Sequence, residues 1–73
     1  MSNEYNPIHG AMIERGEVLT AESGAYTVKS FDRDGVITPP IHSNTSYSYS
    51  VGNHVFFFLF RDGSGRILGL MDD

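Results

Sequence analysis

At 73 residues with a formal net charge of -4, the chain makes one small domain that buries only about 60% of its unfolded surface. It has no cysteine, so neither a disulfide nor a thiolate-held metal reinforces it, and oligomerisation or docking into an assembly is the expected reinforcement. The charge opposes nonspecific binding to nucleic acid or an anionic membrane; the five basic residues, Arg15, Lys29, Arg33, Arg61 and Arg66, are scattered and mostly have acidic neighbours.

Residues 1–10 are polar, with Asn6-Pro7 and His9-Gly10, and form an N-terminal arm. They lack the positive start and apolar stretch of a secretory signal, and no run approaches the ~20 apolar residues of a membrane span. Tyr5 and Ile8 either pack on an apolar face of the domain or belong to a disordered arm. Residues 11–73 form a single small β-barrel domain.

Residues 12–20 are expected to be one strand, with a bulge near Gly16, because glycine inside a strand often marks a bend. Ala21-Glu22-Ser23-Gly24 is a turn. Residues 25–31 form the second strand, with Tyr26, Val28 and Ser30 on one face. Phe31 breaks the alternation, so either a bulge lies near Ser30 or Phe31 caps one end of the core. Asp32-Arg33-Asp34-Gly35 ends in a strong tight-turn pair.

Val36-Ile37-Thr38 is a short third strand stopped by Pro39-Pro40, since proline removes a ladder donor. Ile41 is its last buried residue. Residues 42–50 are polar and loop-like, although Tyr47 and Tyr49 alternate with serines and allow a short edge strand.

His54-Val55-Phe56-Phe57-Phe58-Leu59-Phe60 holds four of the five phenylalanines and is the fourth strand. Val55, Phe57 and Leu59 share one face; Phe56, Phe58 and Phe60 share the other. One face closes a core and the other needs a cover. Alternation does not decide which is which, although bulk favours the second as an interface. Asp62-Gly63-Ser64-Gly65 turns the chain into a last strand at residues 66–70. Five short strands without a helix make an all-β protein, a small five-stranded OB-like barrel with an SH3-like barrel as the alternative.

No polar constellation carries catalysis. His9, His42 and His54 lie too far apart in sequence for a strand or helix metal site. The Asp-Gly segments lack the closing glutamate of a calcium loop, and no serine lies in a Gly-x-Ser-x-Gly turn. No enzyme activity, metal or cofactor is expected. The candidate interface is Phe56, Phe58 and Phe60, with Tyr5 and Ile8. An alternative single-stranded nucleic-acid surface would gather Lys29, Arg33, Arg61 and Arg66 around Tyr47 and Tyr49.

Across residues 13–70 the order of short motifs resembles a known family. Gly16-x-Val18 is followed by Ala25-Tyr26-Thr27-Val28, then Asp32-Arg33-Asp34-Gly35 with Thr38-Pro39-Pro40-Ile41. Val51-Gly52-Asn53-His54-Val55 and Gly65-Arg66-Ile67-Leu68-Gly69 complete the series. This run is similar to the OB-type barrel of phage contractile-tail spike and baseplate-assembly proteins. The resemblance implies a non-enzymatic structural module of phage or prophage origin, a homo-oligomer or one docked to other tail or virion proteins. It also implies a location in the cytoplasm of the producing cell or in the virion. The spike proteins continue into a triple-stranded β-helix with a metal-binding tip, which is not carried over here, and Asn53 stands where the family is often acidic. Translation-type RNA-binding barrels share the Val-Gly-x-x-Val element, which supports the nucleic-acid alternative.

Overall fold

The computed structural model describes residues 11–71. Five strands lie in this span: β1 (Ile13–Glu22), β2 (Ala25–Ser30), β3 (Ile41–Ser43), β4 (His54–Leu59) and β5 (Gly65–Leu70). They form a closed barrel in the order β1-β2-β3-β5-β4. All neighbours run antiparallel except β3 and β5, which are parallel. This strand order, with β4 returning to β1, is the OB-type arrangement and not the SH3-like one.

The long β1 is shared by two ladders. Gly16 faces Ser30 of β2 on one side and Val55 of β4 on the other. A Cβ at Gly16 would lie 2.5 Å from the Lys29 carbonyl oxygen, 2.6 Å from Val28 Cγ1 and 3.0 Å from Phe57 Cε1. The expected bulge at Gly16 is therefore corrected. Glycine is needed here for the close approach of the flanking strands β2 and β4, and the register of β1 slips at Leu19, between Val18 and Thr20. Beyond the slip, Thr20 and Thr27 hydroxyls meet at 2.7 Å.

The β1–β2 connection is tighter than the sequence suggests. Pairing continues to Glu22↔Ala25, so only Ser23 and Gly24 turn the chain. Both have positive φ, 55° and 81°, the signature of a type I′ hairpin whose twist matches the strands it joins.

Tyr26, Val28 and Ser30 are buried in alternation, as expected. Phe31 is neither a core cap nor a sign of a bulge at Ser30. It is 44% exposed and lies edge-to-face on His54, with ring centroids 5.2 Å apart.

The third strand lies later in the chain than expected. Val36-Ile37-Thr38 contributes only the single bridge Ile37↔Lys29, with Val36 and Ile37 exposed. Thr38 remains buried, its amide donating to the Val28 carbonyl and its Oγ1 accepting from the Val28 amide. Pro39-Pro40 interrupts pairing, because neither proline has an amide to donate. Pairing with β2 resumes as Tyr26↔Ile41 and Ala25↔His42.

Residues 44–53 form no strand, so the edge strand at Tyr47 and Tyr49 is also corrected. Tyr49 instead turns inward. Its amide donates to Tyr26 Oη at 3.1 Å, and the two rings meet edge-to-face at 5.4 Å. The core consists of Val18, Tyr26, Val28, Ile41, Tyr49, Val55, Phe57 and Ile67, with Leu59 packed against it. At Val51-Gly52-Asn53, the Gly52 amide donates to the Val18 carbonyl and the Val18 amide to the Asn53 carbonyl, which delivers the chain into β4 alongside β1.

Candidate protein-interaction face

The faces of β4 are assigned by burial. Val55 and Phe57 are fully buried, whereas Phe56 is 38% and Phe60 41% exposed and Phe58 is half-buried. The outer face is thus Phe56, Phe58 and Phe60. Pairing extends it onto neighbouring strands, because directly opposed residues point to the same side. Phe58 lies between Ile13 of β1 and Arg66 of β5, and Phe56 lies between Arg15 and Gly69. The Phe58 and Phe60 rings meet edge-to-face at 5.3 Å. Met12 and Ile13 continue the apolar surface at 67% exposure each. Tyr5 and Ile8, the other expected members of the interface, lie outside the described residues.

A polar knot closes the adjoining end of the barrel. Glu14 points inward from β1 and is 4% exposed. Its Oε1 accepts from Ser30 Oγ at 2.8 Å. The same hydroxyl accepts from the Asp32 and Arg33 amides at 3.2 and 3.1 Å, which sets the path of the following loop. Glu14 Oε2 lies 2.7 Å from Arg33 Nη2; this contact is ionic, without the alignment of a good hydrogen bond.

Arg15 and Asp32 form a second pair. Arg15 Nη2 donates to Oδ1 at 2.6 Å and Nε to Oδ2 at 3.3 Å, while the Arg15 amide also donates to Oδ2 at 2.8 Å. The side-chain and backbone hydrogen bonds from Arg15 hold the Asp32 carboxyl below its ordinary pKa, and the same pairing raises that of Arg15. The Arg15 carbonyl accepts from the Phe31 amide at 2.8 Å, so β1 and the loop are joined through both main chain and side chain. Between knot and aromatic face lies a depression of about 500 Å³, lined by Met12, Ile13, Glu14, Arg15, Asp32, Arg33 and Phe56.

The residues of the nucleic-acid alternative are dispersed. Tyr49 is buried in the core, where its ring is not available to stack on a base, whereas Tyr47 is 52% exposed beside it. Lys29 lies on β2 opposite Glu17, and Arg33 is engaged by Glu14. Arg61 and Arg66 belong to the β4–β5 hairpin, with Arg66 beside Phe58. Among the histidines, His42 Nδ1 lies 3.0 Å from the Gly24 carbonyl oxygen and His54 packs on Phe31; His9 lies outside the described residues.

Sequence reasoning from phenylalanine alternation located the aromatic half of this site but not Met12, Ile13, Glu14, Arg15 or Asp32. Met12 and Ile13 precede a charged pair and show no alternation by themselves. Ile13 is placed beside Phe58 by the β1–β4 register, and Met12, one residue before β1, joins Phe56 in lining the same depression. No known family model and no curated protein matches the chain.

Proposed function

We propose that this is a non-enzymatic assembly module that works through the outer face of β1, β4 and β5, by self-association or by docking to other proteins of a phage-type assembly. The observation that carries the reading is the exposure of Phe56 and Phe60 beside Phe58, Met12 and Ile13. Contiguous apolar surface of this kind on a small protein marks an interaction site. The barrel is closed, so association by strand addition at a free sheet edge is disfavoured and side chains must supply the contact. The phage origin rests on the motif order that resembles contractile-tail OB barrels, together with the OB-type strand order.

OB barrels that bind oligonucleotides use the face of strands 2 and 3 and the adjoining loops. Here the exposed aromatic rings of the strands lie instead on β4, which favours protein contact over nucleic acid. Sedimentation at micromolar concentration tests the reading. A species heavier than the monomer is expected, dissociated by Phe56→Asp or Phe58→Asp. A monomer whose Phe56 and Phe58 are shielded from solvent quenchers and label overturns self-association.

A further inference from the structure

We propose that the depression at the start of β1 receives an acidic, apolar segment of a partner protein: a carboxylate held by Arg15 and Arg33, with the neighbouring apolar side chain on Met12, Ile13 and Phe56. The assignment rests on the reading of the outer face as a protein-docking surface and supplies the chemistry of what docks there.

The two ion pairs are lopsided in burial. The Arg33 side chain is 50% exposed and its partner Glu14 only 5%; Arg15 is 57% exposed and Asp32 34%. Glu14 lies behind Arg33, and Asp32, a third exposed, is the less exposed member of its pair. Both guanidinium groups therefore stand further into solvent than their acids, although the formal charges of the four groups cancel.

A guanidinium carries five N–H donors. Arg33 directs Nη2 at Glu14, and Arg15 directs Nε and Nη2 at Asp32. Arg33 Nε and Nη1, and Arg15 Nη1, have no protein acceptor among the described residues. A guanidinium fork matches the geometry of a carboxylate and accepts it bidentately.

Both donors are held in place before any ligand arrives. Arg15 is fixed by the two Asp32 oxygens, and the Arg33 backbone by Ser30 Oγ. A preorganised site loses less conformational freedom on binding. The wall beside them is apolar. Met12 and Ile13 are each 67% and Phe56 38% exposed, and a space of about 500 Å³ accommodates a large aliphatic or aromatic side chain.

A polyphosphate is the poorer occupant. It requires a row of unengaged cations, whereas these two are already backed by acids in a protein of net charge -4. One carboxylate next to one apolar group uses what the depression offers.

The experiment uses the full chain with isotopic labels on methionine and isoleucine methyl groups and on arginine Nε. The probe is the capped peptide acetyl-Ser-Leu-Glu-Leu-Ser-amide, and its glutamine counterpart is the control. Saturable shifts are expected at the Met12 and Ile13 methyls and at Arg15 and Arg33 Nε–H. Binding of the glutamine peptide should be weaker by about tenfold, as loss of a charge-assisted hydrogen bond implies. Because Arg33→Ala leaves Glu14 without its cation and risks unfolding, the paired variant is Met12→Ser/Ile13→Ser, which keeps both ion pairs and should also weaken the probe.

Equal binding of the two peptides, shifts confined to other residues, or a stronger response to inorganic phosphate or oligothymidylate would overturn the assignment. The titration is repeated on Phe60→Asp, whose substitution lies outside the depression. A self-associating protein that ignores the glutamate peptide removes this assignment alone. A monomer that binds it keeps the assignment and removes self-association.

Discussion

Ser30 Oγ stands 2.8 Å from Glu14 Oε1, and both side chains are buried on the inner side of the barrel. One hydroxyl thus donates to a carboxylate from β1 while accepting two amides of the loop that follows β2. Removing it in Ser30→Ala leaves a buried carboxylate oxygen and two loop amides short of a partner. A loss of about 1–3 kcal/mol is expected in urea denaturation, the scale of an unsatisfied buried polar group. Ser30→Thr, which retains the hydroxyl, should lose less.

Gly16 gives a prediction of a different kind. In Gly16→Ala the added methyl meets the backbone at the Lys29 carbonyl and the fully buried Val28, with no flexible tip to yield. Overpacking of this sort costs about 1–3 kcal/mol or more. Thermal melting should show Gly16→Ala well below the wild type. Gly69→Ala, where the corresponding space is open, should remain within a few degrees of it.

The Arg15–Asp32 pair makes part of the stability depend on pH. Hydrogen bonds from Arg15 place the folded Asp32 carboxyl below its unfolded value of about 3.9. A group depressed on folding stabilises the protein above the unfolded pKa and loses that contribution as pH falls through the folded one. The stability difference between wild type and Asp32→Asn should therefore be constant near neutral pH and shrink below about pH 4. A difference that persists unchanged into strong acid would place the origin of the Asp32 effect elsewhere.

Adjacent phenylalanines should respond oppositely to truncation. Phe57 is fully buried in the core, and Phe57→Ala is expected to cost about 3–5 kcal/mol in chemical denaturation. Phe56→Ala and Phe60→Ala, at 38% and 41% exposure, should leave monomer stability close to wild type while weakening association in sedimentation. The two assays together separate a core role from a contact role within one strand.

The strand types were legible where side chains alternate in polarity and the backbone is regular. β2 declares Tyr26, Val28 and Ser30 as one face, and Val55 and Phe57 share another in β4. Which β4 face turns inward was not legible, since both are apolar; that depends on the pairing of Val55 with Gly16 and Leu70. The third strand was misplaced because Val36 and Ile37 have high strand propensity, whereas Ile41-His42-Ser43 pairs through backbone that its composition does not advertise. In the sequence Gly16 suggests a bend, because a sequence shows that a side chain is missing, not what occupies its space. The polar half of the site was hidden for a related reason: Glu14 looks like a surface charge until Ser30, sixteen residues later, is brought to it.

The barrel seam has a kinetic consequence. Ladders β1–β2, β1–β4 and β4–β5 each span five or six register positions, whereas β3 is joined to each neighbour by only two. The barrel is in effect a curled four-stranded ribbon fastened by a three-residue clasp. Opening that clasp breaks few bonds and leaves the remaining ladders intact, so it should be the lowest-energy excursion of this region. In hydrogen exchange, the Asn44 amide, which donates to the Ile67 carbonyl, should therefore become labelled well before the hydrogen-bonded amides of the β1–β4 ladder.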